Sequence, residues 1–249
     1  MQVPIKLIEG IELAPTEIPG ISKVIVRNPE ARKDLSWDRF VRLKTAAAAA
    51  APAATKPHSV LDAGGYDGAL GLFMPKATLD LIDPATTGGC VLNIPVVDGA
   101  YDSVMAIDVL EHIEPKDRAQ ALREFARVAR KTVILNYPCR ESQSAQELML
   151  RLTNNQLVKE HVQWELPDSN WVLKELANHG FHGTARGYAS IAIWLGQYLT
   201  QNLIPEAAKP LNAHLIENHA EEPSSVPLYH LVVCERKVTT SEKNGASTD

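Results

Sequence analysis

Asp62-Ala63-Gly64-Gly65-Tyr66-Asp67-Gly68 follows the apolar run SVL and mixes carboxylates with glycines in a pattern that suits a ligand. Glycine turns sharply and lets the backbone approach a bound molecule where a Cβ would collide. Asp83 ends a second apolar run, ATLDLI, 21 residues after Asp62. A carboxylate at such a strand end accepts both hydroxyls of a ribose, so the spacing suits a nucleoside. The glycines do not read GxGxxG, the pattern that brings a helix N-terminus to a pyrophosphate. An acidic residue just ahead of them would repel a diphosphate. It favours a ligand with positive charge, such as the ammonium and sulfonium of S-adenosylmethionine. Asp108-Val109-Leu110-Glu111-His112 closes a third apolar run. A hydroxyl nucleophile must lose its proton to react, and histidine is poised to take one near neutral pH. That makes His112 a candidate base, with Asp108 a carboxylate beside the reacting end of a bound ligand. Glu111 and His112 also suit a plain turn cap. Asp108, Glu111 and His112 are also a candidate ligand set for a divalent ion, but a lone three-residue cluster is thin evidence for a metal, and none is expected.

These residues need elements to hold them. HSVLDAGG (58–65), ATLDLIDP (77–84), YDSVMAIDVL (101–110) and KTVILNYP (131–138) are strand-like runs ending in turn residues. Between the last two, Ala121, Leu122, Phe125, Ala126, Val128 and Ala129 recur at helical spacing. Arg123, Arg127 and Arg130 read as the solvated face of that helix. Strands alternating with helices predict parallel βαβ units and an open sheet with helices on both faces. In such sheets the ligand lies at the carboxyl ends of the strands, where the three clusters fall. A helix over SNWVLKELANHG, capped by Gly180, and an alternating strand, PLYHLVVCER, complete the pattern. The segment from Cys139 to Pro167 supplies His161 and Trp164, a polar ring beside a large flat one, as candidates for an acceptor pocket.

The first 55 residues read as an extension. Prolines 4, 15, 19 and 29 break them into short pieces, after which Ser36 precedes the helix-forming WDRFVRLKTAAAAAA, ended by Pro52. The catalytic domain is expected over 56–238, and the tail 239–249 has nothing apolar to bury.

The 249 residues carry 25 basic and 30 acidic side chains, a net charge of −5 that disfavours nucleic acid as partner. No apolar run approaches the roughly 20 residues of a membrane span, and no secretory signal is expected. Three scattered cysteines, Cys90, Cys139 and Cys234, suit a reducing, cytoplasmic compartment.

VLDAGGYDGALG, LDLIDP and YDSVMAIDVLEHI, in that order, resemble the first, second and fourth motifs of class I S-adenosylmethionine-dependent methyltransferases, in the small-molecule branch with a DVLEH segment. The resemblance implies a Rossmann-like α/β fold, seven-stranded and mostly parallel, with an antiparallel last strand. It also implies that Asp62, Gly64, Gly65 and Gly68 cradle the methionine part and that Asp83 binds the ribose. Ile82 and Pro84 would lie beside the adenine. Tyr66 stands where relatives have a second glycine, so its ring would cover the cofactor or widen the loop. Cys90 stands where many relatives place an aspartate for the adenine amino group. The function so implied is methyl transfer to a small-molecule or glycan acceptor, at oxygen. A nicotinamide-dependent oxidoreductase and a non-catalytic nucleoside-binding module are the alternatives.

Overall fold

The computed structural model describes residues 7–50, 58–221 and 225–237. Pro52 and the tail after Val238 lie outside the described residues. Among the described residues, eight strands form one sheet in the order β1-β2-β4-β3-β5-β6-β8-β7. At its centre, β3 (His58–Ala63) pairs in parallel with β4 (Ala77–Ile82) on one side and β5 (Tyr101–Ile107) on the other. β5 in turn pairs in parallel with β6 (Ala129–Pro138). All seven residues of β5 are buried, as a strand covered on both faces requires. The chain therefore reverses direction across the sheet between β4 and β5, and β3 and β5 flank that switch point. Their carboxyl ends open a crevice there.

β8 (Pro227–Arg236) runs antiparallel to both β6 and β7 (Phe181–Ser190), so the last strand is antiparallel as expected. The strand count differs from the expected seven. The proline-broken N-terminal segment makes a hairpin, β1 (Ile11–Pro15) and β2 (Ser22–Val26), with Pro15 ending its first strand. Residues 83–100 form no strand or helix, which leaves the outer edge of β4 open. β2 takes that edge antiparallel, through Ser22 opposite Leu81 and Lys23 opposite Asp80. Prolines end or precede these strands rather than interrupt them, so the ladder survives.

Helix α1 (Trp37–Ala49) follows Ser36 as read, although the serine side chain makes no capping bond. Its alanines do more than propagate the helix. Ala46 and Ala47 pack with Val60, Leu70, Met105 and Ile134 on one face of the sheet. α2 (Arg118–Val128) and α5 (Ser169–Asn178) cover the other face through Leu122, Phe125, Val172 and Leu176. Burying one such leucine or phenylalanine is worth about 1.5–3 kcal/mol. α3 (Gln143–Thr153), α4 (Gln156–Gln163), α6 (Ile191–Leu203) and α7 (Pro205–His219) gather at the carboxyl end of the sheet. There Trp37, Met149, Val158, Trp194, Leu215 and Tyr229 make a third apolar cluster. Among the described residues, no helix is long and apolar enough to cross a membrane.

Candidate functional site

Asp62 is the next-to-last residue of β3. Its carboxyl group is buried, and no donor among the described residues reaches either oxygen. Burial first, and the neighbouring Asp67 and Asp83 after it, push its pKa up to about 8, with Arg39 opposing. The turn above it is shaped by glycine at two points. Gly64 has φ +80°, and a Cβ there would stand 2.6 Å from the Val109 side chain across the switch point. A Cβ on Gly65 would fall on the Asp62 carboxylate itself. The carboxylate and the turn thus face each other with only bare backbone between them. Gly68 lies further along, at φ +75° against Val24 of the hairpin. Tyr66 adopts φ +55° and is 41% exposed beside this turn.

Asp83, buried just past β4, is tied to the same turn because Tyr66 N donates to its Oδ2 at 3.2 Å. Its Oδ1 accepts from Ala85 N, Thr86 N and Thr86 Oγ1, so Asp83 also shapes its own loop. Oδ2, with one weak bond, keeps capacity for a further donor. Thr87 Oγ1 accepts from Asp83 N and donates to Gly20 O at 2.7 Å, which pins this loop to the N-terminal hairpin. Ile82 is fully buried, with Gly89 packed over it, while Pro84 and Cys90 are exposed on the loop.

Two arginines of α1 reach into these loops. Arg39 pairs with Asp67 of the glycine turn, and Arg42 pairs with Asp108 and more loosely with Asp38, while lying 5.5 Å over the Tyr229 ring. Asp108 sits at φ +65° just after β5. Burial alone would raise its pKa, but Arg42 beside it, helped by Glu111, His112 and His161, holds it well below the usual carboxylate range. Glu111 is fully buried, and neither of its oxygens receives a donor among the described residues. Burial and then the Asp108 carboxylate push it well above the usual range.

His112 ends the short turn Leu110–His112. Its Nδ1 lies 2.6 Å from Glu160 Oε2, and its Nε2 lies 3.3 Å from Nε2 of His161. His161 Nδ1 meets Gln146 Oε1 at 3.1 Å. Burial first pushes His161 down to about 3, so this ring is neutral. The sequence placed His112 as a free base. The structure engages both of its ring nitrogens and brings His161, nearly 50 residues away in the chain, onto one of them. Trp164 ends α4 and is half-buried. Its carbonyl accepts from Arg118, which also bonds Ile113 O and Glu165 O and so ties α4 to the turn after β5.

Arg39, Arg42, Gln146, Glu160 and Arg118 were not singled out from the sequence. Arg39 and Arg42 stand three apart on α1, so a helical-face reading would have grouped them, whereas Glu160 and His161 are consecutive on α4 and no such reading joins them. Of the stripe, Arg123 and Arg130 are exposed as expected, although Arg130 lies in β6 and not on the helix, and Arg127 is half-buried. Arg127 bonds Glu124, Asp98 and the carbonyls of Ile94 and Val96, stapling the loop before β5, and Arg130 pairs with Asp102.

Residues 80–135 match the family model of a methyltransferase domain. No curated protein matches the chain. Solved structures with a similar fold include a candidate sarcosine dimethylglycine methyltransferase from Galdieria sulphuraria, at 13% identity and TM-score 0.48, over 81% of this chain and 84% of that one. Magnesium protoporphyrin IX methyltransferase from Synechocystis, with bound S-adenosylhomocysteine, aligns at 13% identity and TM-score 0.47, over 84% of this chain and 88% of that one. Geranyl diphosphate methyltransferase in complex with S-adenosylmethionine aligns at 10% identity and TM-score 0.48, over 80% and 87%.

Proposed function

We propose that this protein, a class I methyltransferase by its domain match and Rossmann-like fold, moves a methyl group from S-adenosylmethionine to an oxygen of a small-molecule or glycan acceptor. One observation carries the cofactor reading. Asp62 is a buried carboxylate with no partner, held under a turn that only glycine can make. A cationic group lowered onto that turn, such as the cofactor's ammonium, relieves the unpaired charge.

The remaining roles follow from position. Asp83 Oδ2 has an acceptor site left for a ribose hydroxyl, and Pro84 flanks it on the exposed side for the adenine. Ile82 supports that region from beneath, since its side chain is fully buried. Tyr66, half out in solvent, can close over the bound molecule. The bound cofactor supplies a carbon already activated for displacement. This chain's part is to align it with the acceptor, which enters at the carboxyl end of β5 beside Asp108 and His112. His161 and Trp164 belong to the helical cover over that end. A diphosphate-bearing nicotinamide cofactor fits poorly, because Asp62, Asp67 and Asp83 crowd the same turn.

Calorimetric titration with S-adenosylmethionine and with NAD tests the reading directly. Micromolar binding of the first and none of the second is expected. Transfer of labelled methyl groups across a panel of hydroxylated acceptors then identifies the substrate. Binding of NAD alone would overturn the assignment.

A further inference from the structure

The geometry points to a second binding site in this chain, for a divalent transition-metal ion of the zinc class held by Glu111, His112 and His161. The donor atoms of these three residues lie within 4.8 Å of one another. Each histidine is held from behind by an oxygen. Glu160 fixes Nδ1 of His112 and Gln146 fixes Nδ1 of His161, so both Nε2 atoms face the same point. Metal-bound histidines are oriented in this way, with the far nitrogen hydrogen-bonded to a carboxylate or carbonyl oxygen. The spacing also agrees. Two imidazole nitrogens, each about 2.05 Å from a tetrahedral zinc, stand about 3.3 Å apart. The two Nε2 atoms stand 3.3 Å apart.

Glu111 supplies an independent indication. It is fully buried, both oxygens lack a donor among the described residues, and it lies beside this pair of rings. Its carboxyl meets only that of Asp108, and a buried pair of carboxyl groups costs more than it returns unless something positive joins it. Of the two arginines whose charge reaches it, Arg42 is already paired with Asp108 and Arg118 is bonded to three backbone carbonyls. A divalent cation would balance Glu111 and satisfy both Nε2 atoms at once.

Three protein ligands leave a fourth position open on tetrahedral zinc. It would lie after β5, where an oxygen ligand can reach it. On the reading that the chain methylates a hydroxyl, that ligand would be the acceptor oxygen; the ion would make its proton easier to lose to water, and the oxygen would then take the methyl carbon as that carbon's bond to the cofactor sulfur breaks. His112 would then act through the ion. The ion site itself does not depend on that reading, since its donors are the chain's own.

A second cluster, Cys139, Glu141 and His230, offers the main competitor. There Cys139 Sγ already donates to Pro227 O, and His230 Nδ1 is engaged by Ser169.

The full chain, stripped with chelator and dialysed, is loaded with zinc and titrated against a chromophoric chelator. One ion per chain is expected. His161→Gln and Glu111→Gln should each weaken it at least about tenfold, and Gln146→Leu or Glu160→Gln about tenfold to a hundredfold. Cys139→Ser should change nothing. Cobalt loading of the unaltered protein needs no variant. Visible bands without a thiolate charge-transfer band are expected, whereas a thiolate band places the ion at Cys139 and overturns the proposal. So does absence of a retained ion, or affinity unmoved by His161→Gln in a folded variant. S-adenosylmethionine titration of the same samples separates failure of this site from failure of the methyltransferase reading.

Discussion

Replacing Asp62 by asparagine should make the cofactor-free protein more stable while weakening its cofactor. The carboxyl group is 1% exposed and unpartnered, and its pKa is raised from 3.8 to about 8. A group whose folded pKa is raised costs nothing below its unfolded value, because both states then hold the proton. The cost grows as pH rises from about 4 and is complete above about 8. At about 1.36 kcal/mol per pH unit, the upper bound is about 6 kcal/mol. Relaxation and water entry reduce it, and the usual cost of a buried unpartnered group is about 1–3 kcal/mol. Asparagine removes the charge and keeps the shape. In a chain of this size about 1 kcal/mol moves the melting temperature by about 2–4 °C. Asp62→Asn should therefore melt several degrees above the parent at pH 8 and level with it near pH 4. Calorimetric titration with S-adenosylmethionine should show the opposite sign. Losing a charge-assisted hydrogen bond of about 1.5–3 kcal/mol weakens affinity roughly tenfold to a hundredfold. Scanning calorimetry at both pH values together with the titration decides the matter. A variant less stable at pH 8, or one with unchanged cofactor affinity, would refute the reasoning.

Other expectations follow from the same geometry. Asp83→Ala should weaken S-adenosylmethionine about tenfold to a hundredfold in titration, with the glycine turn losing its bond from Tyr66 N. Gly65→Ala puts a methyl group on the Asp62 carboxylate, so binding should fall below detection in a protein still folded by circular dichroism. Arg42→Leu leaves Asp108 and Asp38 unpaired in a buried setting and should cost about 3–5 kcal/mol in denaturant unfolding. His112→Gln should lower the single-turnover rate by about 10²–10⁴ with cofactor affinity nearly intact.

Much of the parallel core was legible because its signals are local. HSVLDA, YDSVMAI and PLYHLVVCER became strands with nearly the expected limits, and β5 is buried throughout although Asp102 and Ser103 stand within it. The glycine turn was legible for the same reason, since φ at Gly64 and the crowding at Gly65 act within a few residues. What stayed hidden depends on distant pairing. The pairing of β2 with β4 spans some 58 residues and rests on an edge left open by a loop that could have been a strand. Prolines 15 and 19 masked the hairpin by punctuating it. The approach of His161 to His112 likewise required α4 to fold back over the turn after β5, which Arg118 secures through three carbonyls. No periodicity in either segment announces that meeting.

The charge balance at the carboxyl end of the sheet explains why the N-terminal segment matters to the site. Five carboxylates converge there, on Asp62, Asp67, Asp83, Asp108 and Glu111, within loops that must also admit a ligand. Left alone, so many like charges would spread the crevice apart or hold protons. Helix α1 answers two of them, with Arg39 on Asp67 and Arg42 on Asp108, and the hairpin steadies the Asp83 loop through Gly20 O and Thr87. Asp83 is satisfied mainly by its own backbone. Asp62 receives nothing and Glu111 meets only the Asp108 carboxyl, although each is fully enclosed. Evolution toward stability alone would replace a buried carboxylate of that kind with an apolar residue at little structural cost. Their presence therefore locates the two positions where this fold expects positive charge from outside, one beneath the glycine turn and one between two histidines. The neutralised carboxylates mark the walls of the site, and the unneutralised ones mark its contents.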